Sequence, residues 1–266
     1  MAAAVRHSSA KPRETKSLEK KSHDSKSIDA DALTGPVEDY LKAIYELAAR
    51  EGVAATSDVA NALGVAPASV TGMIRRLAAQ GLLDYVRYRG VQLTPSGRRA
   101  ALSTIRRHRI IETYLTRVLG YPWDRVHDEA ERLEHAASAE LVECLSAALG
   151  HPTADPHGAP IPTRDGRVDE RAHHTLAELP LGQRARMVLV SDKNPELLRY
   201  LADIALQPGT ELTVLNRAPF DGPITLQVGK KELIVGAPLA AQVLVEPVAK
   251  SAHKKPSPRA RKRTRR

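Results

Sequence analysis

Histidines and carboxylates recur at helical spacing through the middle of this sequence. The run RRHRIIETYL sets His108 and Glu112 at i and i+4, on one helix face. The run VHDEAERLEH sets His127 four residues before Glu131, and Glu131 one turn from both Glu134 and His135. Asp39 stands earlier, beside Tyr40 at the start of another helix-forming run. Imidazole nitrogens and carboxylate oxygens converging from separate helices are how a helical bundle builds a divalent-metal site. The same intervals also suit a solvated, charged helix face, and spacing alone leaves both readings open.

A second set of side chains suits contact with a polyanion. The segment LGVAPASVTGMIRR opens a helix with small or hydroxylic residues, Ala66, Pro67, Ala68, Ser69, Thr71 and Gly72, which can approach base edges and thymine methyls closely. Arg75 and Arg76 on that helix, and Arg87 and Arg89 just beyond it, are spaced to reach phosphates. An ordinary helical pair with a surface arginine cluster is the plainer alternative.

The elements that must position these groups can be read from apolar periodicity and turn residues. Tyr40, Leu41, Ile44, Tyr45 and Leu47 form one helical stripe after Pro36, which suits a first turn. A short helix follows, with Thr56 or Ser57 as its cap and Gly64 as its stop; the next starts near Pro67 and ends at Gly81. DYVRYRGVQLT alternates and turns at Arg89–Gly90, predicting a hairpin that completes a winged helix-turn-helix. A long helix is expected over 95–119, then two more up to Gly150, so 36–150 reads as mainly helical. The segment HPTADPHGAPIPTRDG, with four prolines and two glycines, is a linker. Short β-rich runs follow, interrupted by one helix at PELLRYLADIAL, and predict a small β-barrel. The fold class expected is therefore multi-domain α+β: winged helix-turn-helix, helical domain, small barrel.

Composition narrows the setting. The 266 residues carry a net charge of +9, of which the nine Lys or Arg of 250–266 supply all nine and 1–29 a further +3, leaving the rest at −3. Basic tails on a mildly acidic body suit a partner that is an anionic polymer, or serve solubility alone. Residues 1–33 and 249–266 read as disordered tails. A lone cysteine, Cys144 in LVECLSAAL, excludes an intramolecular disulfide and reads as core filler. No apolar stretch is long enough to cross a bilayer, and no signal core is present, so a cytoplasmic protein is expected. Neither HExxH nor an activated-nucleophile motif appears, which argues against a metal-dependent hydrolase and a small organic substrate.

Taken together, EDYLKAIYEL, LGVAPASVTGMIRRL, YRGVQLTPSG, RHRIIETYL, VHDEAERLEH and DPHGAPIP resemble the diphtheria toxin repressor family across 36–162. The region 176–247 resembles the FeoA-type β-domain that often ends such chains. The resemblance implies a winged helix-turn-helix DNA-binding domain (34–98), a helical metal-binding and dimerisation domain (99–150), a linker (151–174) and the FeoA-type barrel (175–248). It implies a homodimeric repressor without enzymatic activity that binds a palindromic double-stranded operator when Mn(II) or Fe(II) is present. The family's ligand positions carry over onto Asp39, His108, Glu131, Glu134 and His135, and its ancillary site onto Glu112 and His127, with Asp192 or Glu196 as candidates to complete it.

Asp39 and Glu131 match the manganese-type members, where iron-type members have Met and Cys. Mn(II) is therefore the expected effector and Fe(II) the alternative. Lys42 departs from the manganese-type pattern, which has a carboxylate there and a binuclear site. Ala205 stands where the barrel usually has Gly. Trp123, Leu133 and the helix 138–148 are expected to form much of the dimer surface, or to be simple core. A metal-independent winged-helix regulator is the remaining rival.

Overall fold

The computed structural model describes residues 33–86, 88–169 and 171–248. Both basic tails and Arg87 lie outside the described residues. The chain begins with α1 (Gly35–Glu51), α2 (Thr56–Leu63) and α3 (Pro67–Ala79), then the hairpin β1 (Leu83–Val86) and β2 (Gly90–Leu93). Pro36 falls in the first turn of α1, where its missing N–H has no intrahelical partner to lose. Gly52 and Gly64, both with left-handed φ, stop α1 and α2.

The expected Thr56 or Ser57 cap is corrected: Ala55 is the N-cap of α2, and no side chain caps it. Entry into α2 is set instead by a β-bridge between Ala54 and Val91, with N–O distances of 2.9 and 3.0 Å. That bridge brings the chain so close to the wing that a Cβ on Gly90 would sit 2.1 Å from the Ala54 carbonyl oxygen. Val70, Ile74 and Leu77 of α3, at i, i+4 and i+7, pack with Val37, Leu41 and Ile44 of α1 in one core.

Helix α4 (Pro95–Arg117) is capped by Thr94, whose Oγ1 accepts from the Gly97 N–H at 3.1 Å. It is the spine of the molecule. Its N-terminal half joins the first core through Ala100 and Ala101. Its C-terminal half packs on α5 (Val126–Glu134) through Ile111, Leu115, Val126 and Ala130, and on α6 (Ala139–Ala148) through Ile110 and Val142. Because both sides of α4 are covered, its polar residues Arg107, His108 and Glu112 are buried along with the apolar ones.

The linker is irregular but closely packed. Ile161 is buried against Ile110 and Val142, and Arg106 and Arg109 donate to the carbonyls of Pro162 and Pro160. His157 Nε2 donates to the Trp123 carbonyl at 2.8 Å, and Val190 N–H donates to the His157 carbonyl.

The C-terminal unit holds β3 (His174–Thr175), a 3-10 turn at Leu176–Glu178, β4 (Arg184–Val190), α7 (Pro195–Asp203), β5 (Glu211–Arg217), β6 (Ile224–Val228), β7 (Lys231–Val235), α8 (Ala237–Ala240) and β8 (Val243–Pro247). Its six strands form one antiparallel sheet in the order β3-β8-β4-β5-β6-β7. The C-terminal domain expected as a small β-barrel is an open sheet with β3 and β7 at opposite edges, a barrel only in a loose sense. Strand β3 is too short to seal the gap, and Leu197, Leu198 and Leu201 of α7, with Leu176 and Leu179, cover the core instead.

Of the residues left open between core and dimer surface, Trp123 packs on the C-terminal core and stacks on His157, with ring centroids 5.6 Å apart. One further expectation changes. Cys144 is exposed, because Val142 and Ser146 are the fully buried positions of α6 and Cys144 points away from that face. Leu133 and Leu141 are exposed.

Candidate metal centre and nucleic-acid surface

Helices α1, α4 and α5 meet in a cleft that collects nearly all the titratable residues singled out in the sequence. The i, i+4 spacing on α4 turns His108 and Glu112 toward α5, and the one-turn spacing on α5 turns His127, Glu131 and Glu134 back toward them. His135, the C-cap of α5, reaches α1.

The first cluster lies between α4, α5 and the loop after β4. Ligand atoms of His108, Glu112, His127 and Asp192 all lie within 4.8 Å of one another. His127 Nδ1 is 3.2 Å from Asp192 Oδ2 and 3.5 Å from Glu112 Oε1, and His108 Nε2 is 3.1 Å from Glu112 Oε1. Both Glu112 oxygens are nonetheless buried without a well-directed hydrogen bond. His108 Nε2 and His127 Nδ1 face each other at 3.2 Å. A buried carboxylate lacking hydrogen bonds beside two convergent imidazoles fits a divalent cation in its donor chemistry.

Of the two residues considered for completing this cluster, Asp192 does so. Glu196 is exposed in the first turn of α7 and belongs to none of the clusters among the described residues.

The second cluster lies between α1 and α5. Asp39, Glu134 and His135 form one group and His108, Glu131 and Glu134 another, with Glu134 common to both. His135 sits between Asp39 (Nε2–Oδ1 2.8 Å) and Glu38 (Nδ1–Oε2 2.6 Å), and Glu38 also pairs with the Arg107 guanidinium. Lys42 Nζ reaches into the second group, 3.1 Å from Glu134 Oε2. Glu38 is absent from the sequence-derived set. Its position next to Asp39 was the available signal, but helical spacing would place it on a different face.

The electrostatics are those of a cation-seeking site. Burial alone would lower the His108 pKa, but Glu112 and Glu134 outweigh it and raise it to about 9. For His127 burial is outweighed by Asp192 and Glu112, and its pKa rises to about 10. Burial would raise Glu112, yet the histidines hold it far below the usual carboxylate range, at about 2. Asp192 is depressed likewise, burial being outweighed by His127. Asp39 is raised, by burial first and then by Glu131 and Glu134. His135 is raised by Glu38 and Asp39 against the effect of burial. Protons stand where positive charge is needed.

A third group, Glu112, Asp155 and His157, continues the first cluster into the linker. Asp155 accepts from the N–H groups of His157 and Ala159, which fixes the turn, and burial followed by Glu112 raises its pKa to about 6.

In the N-terminal unit, Ala66, Pro67, Ala68, Ser69, Thr71, Gly72, Arg75, Arg76 and Arg89 are all exposed along the start of α3 and the wing. Thr71 Oγ1 donates to the Pro67 carbonyl at 3.1 Å. Tyr85 on β1, 59% exposed, shares the wing surface and was not among the residues picked from sequence, because alternation alone gave it no role.

Comparison with known proteins decides what these arrangements belong to. Residues 32–91 match the model of the iron dependent repressor N-terminal DNA binding domain, 94–163 that of its metal binding and dimerisation domain, and 174–247 the FeoA domain. The chain belongs to the iron-dependent (diphtheria toxin) repressor family. It is 30% identical over 229 residues to the iron-dependent repressor IdeR of Mycobacterium leprae, spanning 81% of this chain and 99% of that one. It is 40% identical over 113 residues to the HTH-type transcriptional regulator MntR of Lysinibacillus sphaericus, spanning 42% of this chain and 81% of that one. A solved manganese-dependent transcriptional repressor in complex with manganese superposes with a TM-score of 0.74 at 41% identity, over 80% of this chain and all of that one. As a family member the chain is a metal-dependent, DNA-binding transcriptional repressor, of a kind that acts as a homodimer. Among the described residues no helix is long and apolar enough to cross a membrane.

Proposed function

We propose that this protein is a Mn(II)-responsive repressor that binds a palindromic operator as a homodimer and controls metal-ion homeostasis. The observation that carries the reading is the donor set gathered around Glu134, which lies in one group with Asp39 and His135 and in another with His108 and Glu131: three carboxylates and two imidazoles, without sulfur. Such an oxygen-rich set suits Mn(II), whereas affinity order alone would favour later metals, so geometry and metal supply complete the selection. Fe(II) is the alternative within the same family. The solved relative with manganese supports the assignment, and IdeR, named for iron, is the counterweight.

In this reading Asp39, Glu134 and His135, with Glu131 beside them, hold one divalent ion, and His108, Glu112, His127 and Asp192 hold another. Each ion supplies positive charge that offsets the carboxylates gathered around it. Asp39 shares α1 with Leu41 and Ile44, which are packed in the same core as α3, so fixing Asp39 against α5 fixes the recognition helix against the dimerisation unit. Two such helices related by the dimer axis would meet successive major grooves, about 34 Å apart. Ala66, Pro67, Ala68, Ser69 and Thr71 would face base edges, and Arg75, Arg76, Arg87 and Arg89 phosphates. The switch acts through differential affinity: a tenfold preference of the ion for the DNA-competent arrangement supplies about 1.4 kcal/mol.

The test is Asp39→Ala, read by fluorescence anisotropy of a labelled duplex selected from a random pool. The variant should remain folded and lose Mn(II)-dependent DNA binding. Unchanged Mn(II)-dependent binding would sink the proposal.

A further inference from the structure

Glu134 is shared by two donor groups, one with Asp39 and His135, the other with His108 and Glu131. Lys42 lies in the latter. Its Nζ is 2.5 Å from Glu131 Oε1, 3.1 Å from Glu134 Oε2 and 3.2 Å from His108 Nδ1, and its side chain is 11% exposed. A lysine on this helix could have extended to water, since its four-carbon stem is flexible. It instead folds inward onto three donor atoms of the kind that bind divalent ions.

We propose that Lys42 is a tethered cation permanently filling an inner position of this cleft, so that the cleft takes one divalent ion where a carboxylate at that position would let it take two. The inference rests on the metal-switched reading above. Three features support it. First, the ammonium contacts all three members of the second group and, of the first, only the shared Glu134, so Asp39 and His135 remain available to an ion. Second, charge closes: the three carboxylates Asp39, Glu131 and Glu134 are balanced by one ammonium and one divalent ion. A second divalent ion would leave two uncompensated positive charges in a half-buried cleft, which is costly. Glu38 does not alter this, because Arg107 neutralises it.

Third, His108 is committed elsewhere. Its Nδ1 is held at 2.5 Å by Glu134, which leaves Nε2 turned toward Glu112 and His127. A histidine whose one nitrogen is fixed by a carboxylate presents the other as the ligand. Lys42 therefore divides the polar cleft into two single-ion sites, and its identity sets the ion count.

The experiment counts Mn(II) by calorimetry and electron paramagnetic resonance. It uses full-length protein in a His127→Ala/Asp192→Asn background, which removes the neighbouring centre. With Lys42 in place, one ion per protomer and an uncoupled signal are expected. Lys42→Glu, giving four carboxylates, should bind two ions with exchange coupling between them. Two ions with Lys42 present, or one ion in Lys42→Glu, would overturn the inference. Where Lys42→Glu fails to fold, Lys42→Met decides: loss of the adjacent positive charge should tighten the single site about tenfold, and unchanged affinity counts against Lys42. Absence of any Mn(II) binding with Lys42 present would instead bring down the metal-switched reading itself, and the inference with it.

Discussion

Asp192→Asn removes one charge while keeping the side chain's shape and a carbonyl oxygen. Asp192 is the only member of the first cluster contributed by the C-terminal unit, and its Oδ2 lies 3.2 Å from His127 Nδ1. Breaking one side of a fully buried ion pair costs about 3–5 kcal/mol. A fully exposed pair is worth about 0–1 kcal/mol. The two side chains here are 26% and 27% exposed, which places the metal-free loss nearer about 2 kcal/mol. For a domain assembly of this size that corresponds to a fall in Tm of about 4–8 °C in chelator. With Mn(II), calorimetry should show one of the two ions weakened at least about tenfold, since even partners outside the ligand set cost about 10–100-fold in affinity. The other ion, at Asp39, should be unaffected. If Tm falls but both Mn(II) affinities stay within about twofold of wild type, Asp192 is only a partner of His127 and the assignment of the first cluster is refuted.

Three other outcomes follow from the same geometry. Because the His108 and His127 pKa values are raised above the ordinary 6.5, to about 9 and about 10, the stability they confer on metal-free protein is complete below about pH 6.5 and is lost as pH rises toward 10. Thermal unfolding in chelator should thus give a lower Tm at pH 9.5 than at pH 6.5, and Mn(II) binding at pH 7 should release at least one proton, measurable by calorimetry in buffers of different ionisation enthalpy; proton-neutral binding would contradict the assignment. Ala205, exposed just beyond α7, has φ 56 in the left-handed region. Ala205→Gly should raise unfolding free energy by about 0.5–1 kcal/mol, the relief of that strain less the entropy gained by the unfolded chain, and a destabilised variant in urea unfolding would disprove it. Arg75→Ala/Arg76→Ala should lower the slope of log affinity against log salt by about 2 per protomer, whereas an unchanged slope removes those arginines from the phosphate contacts.

The helices and the wing were legible because their signals are local. Pro36 and Pro67 sit in first turns, Gly52 and Gly64 in left-handed caps, and the apolar stripe of α3 recurs at helical spacing. The residues of α4 and α5 in the clusters were legible for the same reason, since i, i+4 pairs share a face whatever they pack against. What sequence reasoning could not supply depends on tertiary approach. Sequence offered both Asp192 and Glu196 to complete the first cluster, and only the approach of the loop after β4 to His127 selects Asp192; the direction of Lys42 is likewise decided by acids on α5 rather than by neighbours on α1. The small β-barrel was legible from strand-rich spacing, but that its sheet stays open, with α7 covering the core, was not. Cys144 was misassigned because a small residue carries no mark of which surface it faces, and for the same reason Trp123 stayed open between core and dimer surface.

The central claim is that a divalent ion governs the grip of this protein on DNA. The most direct measurement is wild-type affinity for duplexes selected with and without metal, followed by anisotropy as free Mn(II) is titrated from chelator to saturation at fixed salt. The account predicts at least a tenfold rise in affinity for a palindromic duplex, lost again on adding chelator. Affinity that is the same in chelator and in saturating Mn(II) would contradict it.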